Sequence, residues 1–166
     1  MKKIILSFVA LSFSFGVYSQ TIVEAAVSNK DFSTLVTALK AADLVDALSG
    51  EGPFTVFAPN NAAFSKIDSE TLGSLLKPEN VKALTNILTY HVVSGKLMAS
   101  DVASALKSGY GKVELTALNG QTITARSKGG KIYLEDSQGN MSEIIATDVA
   151  GSNGVIHVIS SVVMPE

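Results

Sequence analysis

His91 and His157 are the two side chains in this sequence whose ordinary pKa puts proton transfer near neutral pH, and the sequence contains no cysteine. An imidazole can act as general base for a nucleophile, as a metal ligand, or as a hydrogen-bonded ring in a core. The first role needs a serine and a carboxylate brought to the same place. Serines are abundant, but none stands in a Gly-x-Ser-x-Gly turn. The second role lacks a His-Glu-x-x-His pair, so a zinc site would need both histidines plus a carboxylate. The stretch Asp136–Asn140, with Glu143 beyond it, has the outline of a calcium loop. It lacks the alternating acidic positions and the placed glycine of a twelve-residue loop, and reads as a solvated turn. The residues therefore nominate no catalytic, metal or cofactor site.

The elements that position the two histidines favour the third role. His157 alternates with Val155 and Ile159, while Ile156 and Val158 fill the opposite face. A strand apolar on both faces is a central one, so His157 is expected to be buried and hydrogen-bonded. His91 falls on one helical face with Val81, Leu84 and Leu88. That face ends at Tyr90-His91, within reach of a partner.

Upstream, helical patterns run through Thr21–Val27, Asp31–Ala42 with Asp31 as cap, and Asp43–Leu48. Phe54–Ala58 reads as a short buried strand ended by Pro59, after which Asn60 or Asn61 caps a helix through Phe64. Turns are expected at Ser69–Leu76. Pro78 suits the first turn of a helix reaching about His91, and Ser100 or Asp101 caps a further helix to Leu106. From Lys112 the period changes to two. Strands are expected to Ala117, then over Gln121–Ser127, Lys131–Glu135, Ser142–Val149 and Val155–Met164, with Asn119-Gly120 as a hairpin turn. Helices followed by a mostly antiparallel sheet make an α+β domain.

Lys2 and Lys3 followed by the apolar, serine-diluted run Ile4–Val17 form the pattern of a secretory signal, cleaved before Gln20. The run is shorter than the ~20 residues a membrane span requires. The expected organisation is therefore a signal over 1–19 and one domain over 20–166. Without Lys2 and Lys3, eleven basic residues face fifteen acidic ones, a net charge of −4. That balance, with no run of Lys or Arg, argues against nucleic acid or anionic lipid as partner. Such a domain, exported without disulfides, must rely on packing.

The segments Gly52–Phe64 and Asn153–Pro165, with Tyr90-His91 between them, resemble the two signature boxes and the Tyr-His pair of the fasciclin domain family. Thr55, Phe57, Ala58, Pro59, Asn60, Asn61 and Phe64 match the first box, with Asn60 where threonine is usual. Asn153, Gly154, His157 and Pro165 match the closing box, where Ser160 replaces the usual aspartate. The resemblance implies a β-wedge or small sandwich packed against helices, working as a non-enzymatic adhesion or protein-interaction module. In animal members of the family, receptor binding is assigned to the Tyr-His region and to a short Asp-Ile stretch before the closing box. The matching positions are Tyr90, His91, Val92 and Val93, and Asp148 with Val149 in place of isoleucine.

The reading is an exported protein at the cell surface, in the matrix or in the periplasm. Its expected partner is a surface protein or polysaccharide, with weak self-association a further possibility and no cofactor. A carrier of a small apolar ligand held between helices and sheet is the alternative. A hydrolase built on either histidine is the third.

Overall fold

The structure, a computed structural model, describes residues 20–166; the expected signal over 1–19 lies outside the described residues. Seven strands form one sheet in the order β2-β1-β7-β6-β5-β4-β3. Their spans are β1 Phe54–Pro59, β2 Val92–Ser94, β3 Lys112–Thr116, β4 Thr122–Lys128, β5 Lys131–Glu135, β6 Met141–Gly151 and β7 Gly154–Ile159. Neighbours are antiparallel except β1 and β7, which run parallel along Phe54–Pro59 and Gly154–Ile159. The two outer strands meet: Val93 bridges Ala117 just beyond β3, and the Leu118 N–H donates to the Val92 carbonyl at 2.8 Å. The sheet thus closes into the wedge expected for an α+β domain of this kind.

Strand alternation splits the interior in two. Ala58 and Ile156 face the helices α1 (Ile22–Ser28), α2 (Ser33–Ala41) and α6 (Val81–Tyr90), meeting Ile22, Leu35, Leu39 and Leu88. Phe57 and Ile159 point the other way, into the wedge, with Tyr90, Ile123, Ala125 and Leu134. Val102 and Leu106 of α7 (Ala99–Ser108) cover that second core.

Several local expectations shift. Asp31 caps nothing. Asn29 accepts the Asp31 N–H at 3.0 Å and starts a single 3-10 turn, Lys30–Phe32, ahead of α2. The cap of α2 comes from Asn61, 27 residues away, whose Oδ1 accepts the Thr34 N–H at 3.0 Å. Asn61 itself lies in the short helix α4 (Asn61–Phe64), which Asn60 caps by accepting the Ala63 N–H at 2.8 Å. Ser69–Leu75 is a helix, α5, capped by Asp68, and hydrogen bonds from Thr71 hold that carboxyl below its usual range. The short helix α3 spans Val45–Leu48. Pro59 remains within β1 because β2 has already ended opposite Val56, so no ladder partner misses its N–H. β7 stops at Ile159, short of the expected Met164.

Asn153 ties these pieces together from the turn between β6 and β7. Its Oδ1 accepts the Ile22 N–H at the start of α1 at 2.9 Å, and its Nδ2 donates to the carbonyls of Leu48 and Gly50 at 2.8 Å each. Its backbone carbonyl accepts the Phe54 N–H that opens β1, at 2.9 Å. Gly154 follows because the chains approach too closely for a side chain: a β-carbon there would collide with the Phe54 carbonyl oxygen. Asn153→Ala leaves one buried donor and two carbonyls unmatched, and should lower the unfolding free energy by about 2–4 kcal/mol. Urea unfolding curves measure this; a loss below about 0.5 kcal/mol, the usual range of surface changes, would contradict the assignment.

Candidate partner-binding surface

Tyr90, His91, Val92 and Val93 do not form the exposed margin expected of them. All four are buried. The reason is topological: this segment passes from the end of α6 into β2, and it serves both cores on the way. Tyr90 fills the wedge and donates its hydroxyl hydrogen to the Thr122 carbonyl at 2.9 Å. Burial, with the nearby Asp136 charge adding to it, holds the phenol above its ordinary pKa. Val92 turns to the helical core and Val93 back to the wedge. His91 lies between them as the C-cap of α6, its carbonyl accepting the Phe57 N–H at 2.8 Å.

The hydrogen-bond partners of the His91 ring assign its tautomer. Nδ1 lies 2.8 Å from the Ile87 carbonyl and must donate, whereas Nε2 accepts the Val163 N–H at 3.2 Å. The ring is neutral, and burial pushes its pKa down to about 4. His157 carries the opposite tautomer. Nε2 donates to the Leu97 carbonyl at 2.6 Å, and Nδ1 accepts the Asp148 N–H at 3.3 Å, while the ring stacks on Phe57 at 5.7 Å between centroids. His157 is buried, as its strand pattern requires. Neither imidazole has a free ring nitrogen to act as a general base, which removes the arrangement a histidine hydrolase would use. Among the described residues no group of three His, Cys, Asp or Glu side chains could hold a metal ion.

Asp136 is less solvated than its turn suggested. The carboxylate is buried and accepts the N–H groups of Gln138, Asn140 and Met164 and the Asn140 amide, at 2.8–3.1 Å. It organises the turn and fastens the C-terminal segment, and its lone pairs are spent on these donors.

The second candidate position is exposed. β6 is bulged twice, between Ile144 and Ala146 and between Ala146 and Val149, so that Thr147 and Asp148 together oppose His157. Asp148 takes a left-handed φ of 60°. In that conformation its N–H meets His157, and its Oδ1 accepts the first N–H of α7, from Ala99, at 2.8 Å. The expected local caps Ser100 and Asp101 give way to this remote one; Asp101 accepts the Met98 N–H at 2.9 Å instead. Thr55 completes the corner, donating to the Gly95 carbonyl at 2.6 Å and accepting the Leu97 N–H at 2.9 Å. The signature residues Thr55, Phe57, Asn153, Gly154 and His157 are thus scaffold, and His157 among them holds the Asp148 backbone in place.

From Ile145 to Ala150 every residue is exposed, including the apolar Ile145 (49%) and Val149 (40%). β5 accompanies β6 only along Met141–Glu143, so beyond that point β6 is paired on the β7 side alone. Ile145 was not among the expected contact residues. An uninterrupted strand would give no reason to single it out, because the bulge that displaces it is invisible in the alternation.

Between helices and sheet, where an apolar ligand would have been carried, the void is about 20 Å³, lined by Ile22, Leu35, Leu39, Leu48, Val56 and Ile156. Small-molecule sites run to about 300–1,000 Å³. The alternative reading as a carrier has no room there.

His91 gives the domain a pH dependence. Its folded pKa near 4 lies below the unfolded value near 6.5, so the unfolded chain binds the extra proton across that interval. The contribution is complete above about pH 6.5 and is lost as pH falls towards 4, on the order of 3 kcal/mol in all. Urea unfolding at a series of pH values should show stability dropping through that window, and His91→Gln should flatten the slope between pH 6.5 and 4. An unchanged slope would show that His91 is not the linked group.

The family model described as the fasciclin domain matches residues 30–165. The chain is 50% identical over 147 residues to the protein sll1483 of Synechocystis, covering 89% of this chain and 74% of the relative. It is 33% identical over 155 residues to the immunogenic protein MPB70 of Mycobacterium bovis, covering 90% and 72%. Among solved structures, a domain pair from the insect cell adhesion molecule fasciclin I superposes with a TM-score of 0.75 at 19% identity, over 86% of this chain and 50% of that one. The two boxes, the closed wedge and the family match agree, and the chain belongs to the fasciclin domain family.

Proposed function

We propose that this protein is an exported, non-enzymatic adhesion module that engages a surface-borne protein through the outer side of β6 at Ile145–Ala150. The observation that carries the reading is the contrast between the two candidate positions: Tyr90–Val93 are consumed by the cores, while Asp148-Val149 are exposed and held rigidly by His157 and α7. A contact surface needs apolar side chains that are exposed yet pre-positioned, since ordering a mobile loop costs affinity. Val149, paired with Ile156 and adjacent to Asp148, meets both conditions, and Ile145 adds a second exposed apolar side chain on the same strand. The bulges and the left-handed Asp148 interrupt the edge of β6, so recognition falls to side chains rather than to an added strand.

Family membership supports an interaction role, and the solved neighbour comes from a cell adhesion molecule. The N-terminal Lys2-Lys3 and apolar run support export to the surface, the matrix or the periplasm. No described helix is long and apolar enough to cross a membrane.

In the native host, deleting the gene should reduce attachment to a surface or to neighbouring cells, and the parent sequence should restore it. Val149→Asp combined with Ile145→Asp should fail to restore attachment while shifting stability by no more than about 0.5 kcal/mol, as exposed positions do. Equal attachment by deletion and parent strains would refute the function. Full restoration by the double variant would refute the site. Asp148→Ala should cost about 1 kcal/mol through the lost α7 cap, measured by urea unfolding; no change would show that the cap is idle.

A further inference from the structure

Strand pairing gathers cations that the sequence scatters. In the antiparallel ladders, Lys112 of β3 faces Arg126 of β4, and Lys128 of β4 faces Lys131 of β5. Directly opposed like charges repel, and neighbouring glutamates offset the charge of Lys112, Arg126 and Lys131, leaving Lys128 as the cation of the group outside these ion pairs. Both pairs sit at the end of the β3–β5 ladders next to Tyr110. Tyr110 is fully exposed, and its backbone holds a left-handed φ of 53°. A bulky residue takes up that conformation at a steric cost and, fully exposed, repays it with no packing.

Tyr110, Lys112, Arg126 and Lys128 share one shallow depression of about 390 Å³ with Glu135 and Met141. Carboxylates temper the charge. Glu114 pairs with Lys112 at 2.7 Å, Glu143 with Lys131 at 2.8 Å, and Glu135 with Arg126. Such partly exposed pairs are weak.

We propose that this face docks a uronate-bearing polysaccharide. The Tyr110 ring stacks on the apolar face of a sugar, and Lys112, Arg126 and Lys128 meet its carboxylates. Glu135 accepts sugar hydroxyl hydrogens. Duplex nucleic acid carries one charge per ~1.7 Å, a density that the three interspersed glutamates oppose. A polyuronate carries at most one charge per sugar, separated by hydroxyl groups suited to those same glutamates. This goes beyond adhesion through β6 and uses different residues, giving the module a second attachment point.

Affinity electrophoresis of the purified protein at low ionic strength, in gels containing alginate, polygalacturonate or neutral dextran, tests the proposal. Both polyuronates should retard the protein and dextran should not. Tyr110→Gly, which suits the left-handed backbone and should leave the thermal midpoint unchanged or raised, should weaken retardation about tenfold, the loss expected for an aromatic anchor. Lys128→Glu should weaken it further. Absence of retardation by both polyuronates would overturn the proposal, as would undiminished retardation of Tyr110→Gly. Equal retention of parent and Tyr110→Gly by duplex DNA or anionic vesicles would show charge alone at work, and would also overturn it. Because these variants leave Ile145–Ala150 intact, normal cell attachment by a protein that ignores alginate would refute this face and leave the adhesion reading standing.

Discussion

The carboxamide of Asn153 is the interaction on which the rest of the domain depends. One planar group satisfies the first N–H of α1 and two carbonyls after α3, while its own backbone receives the first N–H of β1. Each of these backbone groups lies at an element end, where no ladder or helical turn supplies a partner. Buried polar groups left without partners are expensive, so the helical layer and the central parallel pair are fixed together at a single point. An aspartate could not substitute, because it would place negative charge against two carbonyl oxygens. A leucine of similar volume would supply no partners at all.

The same device recurs. Asn61 supplies the N-terminal partner that α2 lacks locally, and Asp148 does so for α7. In all three cases a helix start is held by a side chain distant in sequence; α1 also has a local capping box of Thr21 and Glu24, whereas for α2 and α7 the side-chain partner waits on tertiary structure. This explains where reading the sequence succeeded and where it stopped. The apolar periodicities of α6 and β7, the Asn60 cap and the Asn119-Gly120 turn are local patterns, and each was legible. Asp31, Ser100 and Asp101 were read as caps because a cap is sought next to its helix, and there the reading misplaced them.

The candidate surface was half legible for a related reason. Tyr90 and His91 are of types that bind partners, and they stand at a helix end. Their burial follows from sheet closure, in which Val93 meets Ala117, and no run of residues announces that pairing. Asp148-Val149 is exposed, as a contact position must be, but that exposure depends on two bulges that ordinary alternation conceals. Cations dispersed from Lys112 to Lys131 looked unremarkable as a string. Only the ladder register places them opposite one another.

The final segment shows what this architecture does under load. The N–H groups of Val163, Met164 and Glu166 are held by His91, Asp136 and Gln121, all from other parts of the chain. Immediately before them, β7 runs between a parallel neighbour and an antiparallel one. A pull on the C-terminal residues, resisted by the rest of the sheet, is therefore directed along β7. Its ladders are loaded in shear, all bonds sharing the tension, rather than unzipped one at a time. The fold that hides the Tyr-His pair thereby sets its central strand to bear tension along its whole length.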